Sequence, residues 1–207
     1  MPILTPVGYP LDMQLRNAVR QLQFVGSFPG EIPVLGLPEI AFAGRSNVGK
    51  SSALNVLLDS KKAARVSSRP GRTQAINLFL LGDQAVFADL PGYGYAKVPD
   101  HVKDKWGGMI EGYLGSRETL RLVVILVDAR RDPMESDAML IEGLADAGIP
   151  LLVIATKCDK LKKQQRSHQL KAIREIFGLP VGQPIPFSSV TREGRDEVWT
   201  AIEEAAR

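Results

Sequence analysis

The octapeptide Gly44-Arg45-Ser46-Asn47-Val48-Gly49-Lys50-Ser51 places glycines, a lysine and a hydroxyl at a spacing that suits phosphate chemistry. A glycine, four variable residues and Gly-Lys-Ser form a phosphate-binding loop when a strand precedes them and a helix follows. An apolar run of strand length, residues 39–44, comes before the octapeptide, and Ser51–Leu58 has helical spacing. The sequence therefore predicts a nucleoside triphosphate site, and a glycine-rich turn without a ligand is the less favoured interpretation.

Residue types within this loop have distinct expected roles. Glycines let successive backbone N–H groups point inward and, with the helix N-terminus, surround phosphate oxygens. Lys50 can reach the β- and γ-phosphates, and the Ser51 hydroxyl can bind Mg²⁺.

Two later motifs also follow apolar strands. In Asp89-Leu90-Pro91-Gly92 the acid can hold Mg²⁺ through water, and the Gly92 N–H can meet the γ-phosphate. In Thr156-Lys157-Cys158-Asp159 the carboxylate can accept two hydrogen bonds from guanine, whose N1–H and 2-amino donor pair adenine lacks. Each tetrapeptide alone is common in loops, but their order along the chain predicts a guanine-nucleotide site. Ser188-Ser189 can offer backbone groups to the guanine oxygen.

With these motifs in register, the chain resembles the EngB family of bacterial ribosome-biogenesis GTPases, within the TrmE-Era-EngA-EngB-septin-like GTPases. The resemblance runs from about Phe24 to the C-terminus and includes Pro70-Gly-Arg-Thr73 and the continuation Tyr93-Gly-Tyr95. Thr156, where GTPases at large have asparagine, agrees with the pattern of this family.

The resemblance implies a GTP/GDP switch with slow, Mg²⁺-dependent hydrolysis. It assigns Mg²⁺ to Ser51, Thr73 and Asp89, and catalysis to Lys50, Thr73, Gly92 and Asn47. Residues 61–77 would order with GTP and loosen with GDP, and residues 89–106 would form the second switch. The residues implied to contact GTP are Gly44, Arg45, Ser46, Asn47, Val48, Gly49, Lys50, Ser51, Gly71, Arg72, Thr73, Gln74, Ala75, Asp89, Leu90, Pro91, Gly92, Thr156, Lys157, Cys158, Asp159, Ser188, Ser189 and Val190.

Tyr93 stands where Ras-like GTPases carry the glutamine that orients the attacking water. Slow intrinsic hydrolysis is therefore expected, with the missing element supplied from outside. One hypothesis is K⁺, held partly by Asn47 and acting as the positive charge that an arginine finger supplies elsewhere. The alternative for Asn47 is loop geometry, because asparagine tolerates a left-handed backbone.

Strands and helices alternate beyond the first motif. Apolar strands such as Leu120–Asp128 favour a sheet covered on both faces. The predicted class is α/β, a P-loop NTPase with a mostly parallel central sheet, one antiparallel edge strand and helices on both faces. Residues 1–38 are predicted as a lead-in helix (Met13–Phe24) and loop, and residues 39–207 as the GTP-binding domain. The other predicted strands are Ala75–Leu81, Gln84–Asp89, Leu151–Thr156 and Ile185–Phe187, and the other helices are Asp100–Leu114, Ser136–Ala147, Gln164–Phe177 and Arg195–Ala206.

Composition and charge limit the environment and the partners. The single cysteine, Cys158, excludes an internal disulfide framework, and apolar runs are too short to span a bilayer, so we expect a cytoplasmic protein without membrane contact. Net charge is only +3, but basic residues cluster at 61–72 and 160–174. Such clusters suit RNA or form a solvated face, and charge alone leaves both open. In the absence of an exposed apolar stripe, a monomer is the default.

The resemblance implies partners as well as ligands. Besides GTP and GDP it implies the large ribosomal subunit, with its rRNA and proteins, and a need for the protein in normal cell division and septation. The alternative kept open is a protein-binding switch in cell division without direct ribosome contact.

Overall fold

The described part of the chain forms one central sheet of seven strands. The computed structural model describes residues 15–60, 63, 75–93 and 112–207. Within these ranges the strand order is β1-β3-β4-β2-β5-β6-β7. The strands are β1 (Leu22–Phe28), β2 (Glu39–Gly44), β3 (Ile76–Leu81), β4 (Ala85–Asp89), β5 (Leu120–Asp128), β6 (Leu151–Thr156) and β7 (Ile185–Pro186). The helices are α1 (Lys50–Leu57), α2 (Glu135–Asp146), α3 (Lys163–Ile176) and α4 (Arg195–Ala205), with 3₁₀ turns at Leu15–Gln21 and Cys158–Lys160.

The predicted fold class is confirmed. Pairs β2–β4, β2–β5, β5–β6 and β6–β7 are parallel, whereas β3 runs antiparallel to both β4 and β1. The antiparallel strand is second from the edge, because β1 pairs along its outer side. Most predicted elements match the observed bounds within one residue. Of the predicted helix Asp100–Leu114, residues 112–114 are helical and 100–111 lie outside the described ranges.

The predicted lead-in helix over Met13–Phe24 is wrong in its last three residues, Leu22 to Phe24. Among the described residues of this segment, Leu15–Gln21 form a 3₁₀ turn, and the chain then enters β1. Pairing explains the difference, since β1 supplies hydrogen-bond partners to the outer edge of β3 and the Phe24 ring lies 5.4 Å from that of Phe79. The lead-in therefore contributes a strand to the same sheet, while the domain division at residue 38 stays a prediction.

Helices cover the two faces of the sheet because its central strands are apolar on both sides. Every residue of β2 and β4 is buried. Side chains of α2 and α3, including Ile141 and Ile173, pack in one core cluster, and those of α1 and α4, including Leu54 and Trp199, pack in the other. No helix in the described ranges has both the length and the apolarity that crossing a membrane requires.

Candidate functional site

Four parallel strands end side by side at one edge of the sheet. β4, β2, β5 and β6 are neighbours in that order, and their last residues are Asp89, Gly44, Asp128 and Thr156. Ligands of open α/β sheets bind at the carboxyl ends of the strands. Three of the predicted motifs therefore meet at one place, together with Asp128, which the sequence interpretation did not include.

Backbone geometry in the loop after β2 depends on particular residues. Asn47 and Gly49 adopt left-handed conformations, with φ of 65° and 108°. A Cβ at Gly44 would lie 2.9 Å from Val48 Cγ1 and 3.0 Å from the Leu126 carbonyl oxygen, so glycine is required there. No side chain caps the N-terminus of α1. Its first N–H groups and the helix dipole are thus available to an anion.

Lys50, directly after this loop, forms an ion pair with Asp89 at the end of β4. Their side chains are 11% and 9% exposed, and Asn77 Nδ2 lies 3.4 Å from the other Asp89 carboxylate oxygen. An acid from β4 thus already faces a cation at the first turn of α1. The described residues contain no group of three or more His, Cys, Asp or Glu side chains that could hold a metal. The Asp89 carboxylate and the hydroxyl of Ser51, the residue after Lys50 in α1, still fit Mg²⁺, because Mg²⁺ commonly takes one or two protein oxygens and completes its shell with water and phosphate.

The segment after Asp89 lies directly against the phosphate loop. Tyr93 N–H donates to the Gly44 carbonyl at 3.3 Å, and Ser46 N–H donates to the Tyr93 carbonyl at 3.0 Å. A Cβ on Gly92 would lie 3.1 Å from the Ser46 nitrogen, closer than most real contacts. Gly92 is consequently fixed beside the loop, where its predicted partner is the γ-phosphate.

The Tyr93 side chain is buried and bound to helix α2. The residue is 7% exposed, and its hydroxyl donates to Asp137 Oδ1 of α2 at 2.7 Å. Burial raises the pKa of Tyr93, and it also raises the pKa of Asp137. The position after Gly92 therefore supplies no side chain that could orient a water at the γ-phosphate.

Thr156 joins the base-reading motif to the phosphate loop. Its buried Oγ1 lies 2.7 Å from the Val48 carbonyl oxygen and 3.0 Å from that of Val127. One hydroxyl proton serves these two acceptors, so the side chain ties the end of β6 to the loop and to β5.

Lys157 spans the gap between the base-reading motif and the phosphate loop. Its ammonium donates to the Asn47 carbonyl at 2.6 Å and to Asp128 Oδ2 at 2.8 Å. Arg130 also donates to both oxygens of Asp128, at 2.9 and 2.8 Å. Burial alone would raise the pKa of Asp128, but the hydrogen bonds from Arg130 and Lys157 outweigh it and lower that pKa to about 2. The sequence feature that could have identified Asp128 as a site residue is its place at the end of a buried strand, which Asp89 shares.

Asp159 is oriented by the loop after β7. Ser188 Oγ donates to Asp159 Oδ1 at 2.8 Å and accepts the N–H groups of Val190 and Thr191 at 3.2 and 3.1 Å. Burial raises the pKa of Asp159, but hydrogen bonds from Ser188 and Lys160 outweigh that effect and lower it. The group is therefore an ionised acceptor at neutral pH, as guanine recognition requires.

The remaining residues predicted to contact GTP differ in burial, and some lie outside the described residues. Cys158 is buried with Sγ 3.1 Å from the Ala155 carbonyl oxygen, and burial raises the pKa of its thiol. Ala75 is buried immediately before β3, whereas the Val190 side chain is 73% exposed. The predicted contacts at Gly71, Arg72, Thr73 and Gln74 lie outside the described residues.

Comparison with known proteins gives consistent matches. Residues 39–157 match the family described as 50S ribosome-binding GTPase. A probable GTP-binding protein EngB of Geobacter metallireducens is 48% identical over 187 residues, which cover 89% of this chain and 92% of that protein. The Bacillus subtilis protein of the same description is 47% identical over 177 residues, covering 85% and 91%. A crystal structure of a probable GTP-binding protein engB superposes with a TM-score of 0.68 at 26% identity, covering 82% of this chain and 98% of the other.

Proposed function

This chain belongs to the EngB family of GTP-binding proteins and is a GTPase, and from that premise we propose that it is a GTP-dependent switch in assembly of the large ribosomal subunit. The observation that carries the nucleotide part is the convergence of Lys50, Asp89 and Asp159 at one edge of the sheet. The description of its family, 50S ribosome-binding GTPase, supports the ribosomal part.

The phosphate end of the site binds by charge and by backbone donors. Lys50, now paired with Asp89, exchanges this partner for the β- and γ-phosphates when GTP enters. Ser51 and Asp89, with Thr73 from the first switch, would hold Mg²⁺, which when bound neutralises part of the phosphate charge. Gly92 lies beside the loop, where its N–H donates a hydrogen bond to the γ-phosphate when GTP is bound.

The base end selects guanine. The ionised Asp159 carboxylate accepts the N1–H and 2-amino hydrogen bonds, and Ser188 keeps it in position. Adenine presents no such donor pair, and charge-assisted hydrogen bonds of this kind are the strong ones. Lys157, held by Asp128 and the Asn47 carbonyl, lays its stem across the base.

Intrinsic hydrolysis is slow in this proposal, because the Tyr93 side chain is bound to Asp137 and orients no water. The activating charge comes from outside, and K⁺ near Asn47 is the candidate. The left-handed backbone at Asn47 fits the alternative in which this residue only shapes the loop, and it also leaves room for a role in holding K⁺. Single-turnover GTP hydrolysis is expected to be faster in KCl than in NaCl, and equal rates in the two salts would remove K⁺ from the mechanism.

Co-sedimentation with purified large ribosomal subunits tests the ribosomal proposal. We expect binding with a non-hydrolysable GTP analogue and release with GDP, and no binding by Lys50→Ala, which cannot hold the triphosphate. Absence of binding in both nucleotide states would refute the ribosomal role. The remaining candidate would then be a switch that acts on cell-division proteins without ribosome contact. In either case we place the protein in the cytoplasm as a monomer, with GTP and GDP as its ligands.

A further inference from the structure

Helix α3 and the turn before it present a basic face, of which Lys160 alone contacts a residue of the nucleotide site described above. At about 100° per residue, Lys163, Lys171 and Arg174 fall within about 80° of the helix circumference. Ile173, about 120° from the middle of this arc, is buried in the core. Lys160 and Lys162 extend this set into the turn before the helix, and these five residues are here called the basic face of α3.

Most of this positive charge is not neutralised within the protein. Lys162, Lys163 and Arg174 make no ion pair with the described residues. Lys171 lies 3.7 Å from Glu175, but both side chains are more than half exposed, and such surface pairs contribute little. Arg166 differs from them, since both terminal nitrogens of its guanidinium group donate to the Glu193 carboxylate, and it is therefore structural.

Helices α2 and α4 are acidic instead. α2, which shares a core cluster with α3, has four acids (Glu135, Asp137, Glu142 and Asp146) and no lysine or arginine. α4 has Asp196, Glu197, Glu203 and Glu204 against Arg195 alone. α3 differs from these two helices, since it has four basic residues (Lys163, Arg166, Lys171 and Arg174) and one acid, Glu175.

We infer that the basic face of α3 binds the phosphate backbone of RNA, an inference that rests on the proposed ribosomal function and names the surface through which it works. Lysine and arginine neutralise phosphates without reading bases, and the released counterions make such binding depend on salt. Lys163 and Arg174 are eleven residues apart, about 16 Å along the helix axis, which gives room for several phosphates. Lys160, 3.3 Å from Asp159, places one end of this face beside the guanine site.

A charge-matched pair of variants tests the inference. The first replaces Lys163, Lys171 and Arg174 by glutamine. The second, with the same change in net charge, replaces three exposed arginines elsewhere, Arg20, Arg121 and Arg207. Binding of a fluorescein-labelled 20-nucleotide oligouridine is measured by fluorescence anisotropy between 50 and 300 mM KCl. GDP affinity and the urea midpoint should be unchanged in both variants, which verifies that each is folded.

The α3 variant should bind the RNA roughly tenfold more weakly at 100 mM KCl, and its log–log salt slope should be smaller by about 2, as expected for three lost single-strand phosphate contacts. The control should stay within about threefold of the wild type. Equal losses in both variants would reduce the effect to net charge and overturn the inference. So would an unaffected α3 variant or a wild-type chain that does not bind the RNA.

Anionic phosphatidylglycerol vesicles provide a second arm. If the α3 substitutions abolish vesicle binding and leave RNA binding intact, the face serves a membrane surface and the inference is wrong. The RNA titration contains no ribosomal particle, so it can succeed even if GTP-dependent co-sedimentation with subunits fails. That combination would refute the proposed function alone, whereas co-sedimentation without α3-dependent RNA binding would refute the inference alone.

Discussion

Replacing Asp128 by asparagine is expected to destabilise the protein by about 2 kcal/mol at pH 7. The carboxylate is 8% exposed and accepts charged hydrogen bonds from Lys157 and Arg130. Those bonds lower its pKa from 3.8 to about 2. At 1.36 kcal/mol for each pKa unit, that difference corresponds to about 2 kcal/mol of stability that the ionised group contributes. The asparagine side chain would keep the shape of the aspartate but lose its charge.

The pH dependence of this effect follows from the direction of the pKa change. A carboxyl group whose pKa is lower in the folded state stabilises the protein above its unfolded pKa. That stabilisation is lost as the pH falls through the folded value. For Asp128 this window lies between about pH 4 and pH 2. The difference between wild type and Asp128→Asn should therefore shrink to about 1 kcal/mol at pH 3.

Urea denaturation of the nucleotide-free proteins at pH 7 and pH 3 measures both values, with Asp146→Asn as a control. Asp146 is exposed on α2, so its substitution should change stability by less than about 0.5 kcal/mol. GDP affinity of Asp128→Asn should also fall, because Lys157 loses the carboxylate that holds it between the two motifs. A stability difference that is absent at pH 7, or equal at both pH values, would refute this account of Asp128.

Substitutions at three further contacts test each of them separately. Gly92→Ala should slow single-turnover hydrolysis at least tenfold while GDP binding persists, because its Cβ would crowd the Ser46 nitrogen at 3.1 Å; an unchanged rate would argue against a fixed Gly92. Thr156→Val should cost about 1–3 kcal/mol in urea denaturation by removing the donor to two buried carbonyls, and Thr156→Ser should restore most of it. Tyr93→Phe should cost about 1–3 kcal/mol because Asp137 loses its buried donor, whereas Asp137→Asn, whose amide oxygen still accepts, should cost less; the reverse order would contradict the assignment.

Local signals in the sequence were sufficient to predict the central strands and to predict that the motifs lie together. β5 and β6 are continuous apolar runs, and parallel strands must end at the same edge, so Asp89 and Thr156 could be brought together from sequence alone. The order of the motifs supplied the rest of that prediction.

Features that depend on residues far apart in the chain could not be predicted from such local signals. β1 contains Gly26 and a register shift next to it, which interrupt the alternation typical of a strand. Its stability comes from β3, which begins at Ile76, far later in the chain. Likewise, the role of Asp128 depends on Lys157, and the orientation of Tyr93 depends on Asp137, 44 residues away. Such contacts exist only once the chain has folded.

The measurement that most directly tests the central claim compares GDP and XDP binding to the wild type and to Asp159→Asn. The wild type is expected to prefer GDP. In the variant, GDP affinity should fall roughly a hundredfold or more as two charge-assisted hydrogen bonds are lost. The asparagine amide can donate to the 2-oxo group of xanthine, so XDP affinity should rise. Unchanged GDP affinity in Asp159→Asn, without any gain for XDP, would contradict the assignment of this edge of the sheet as a guanine-nucleotide site.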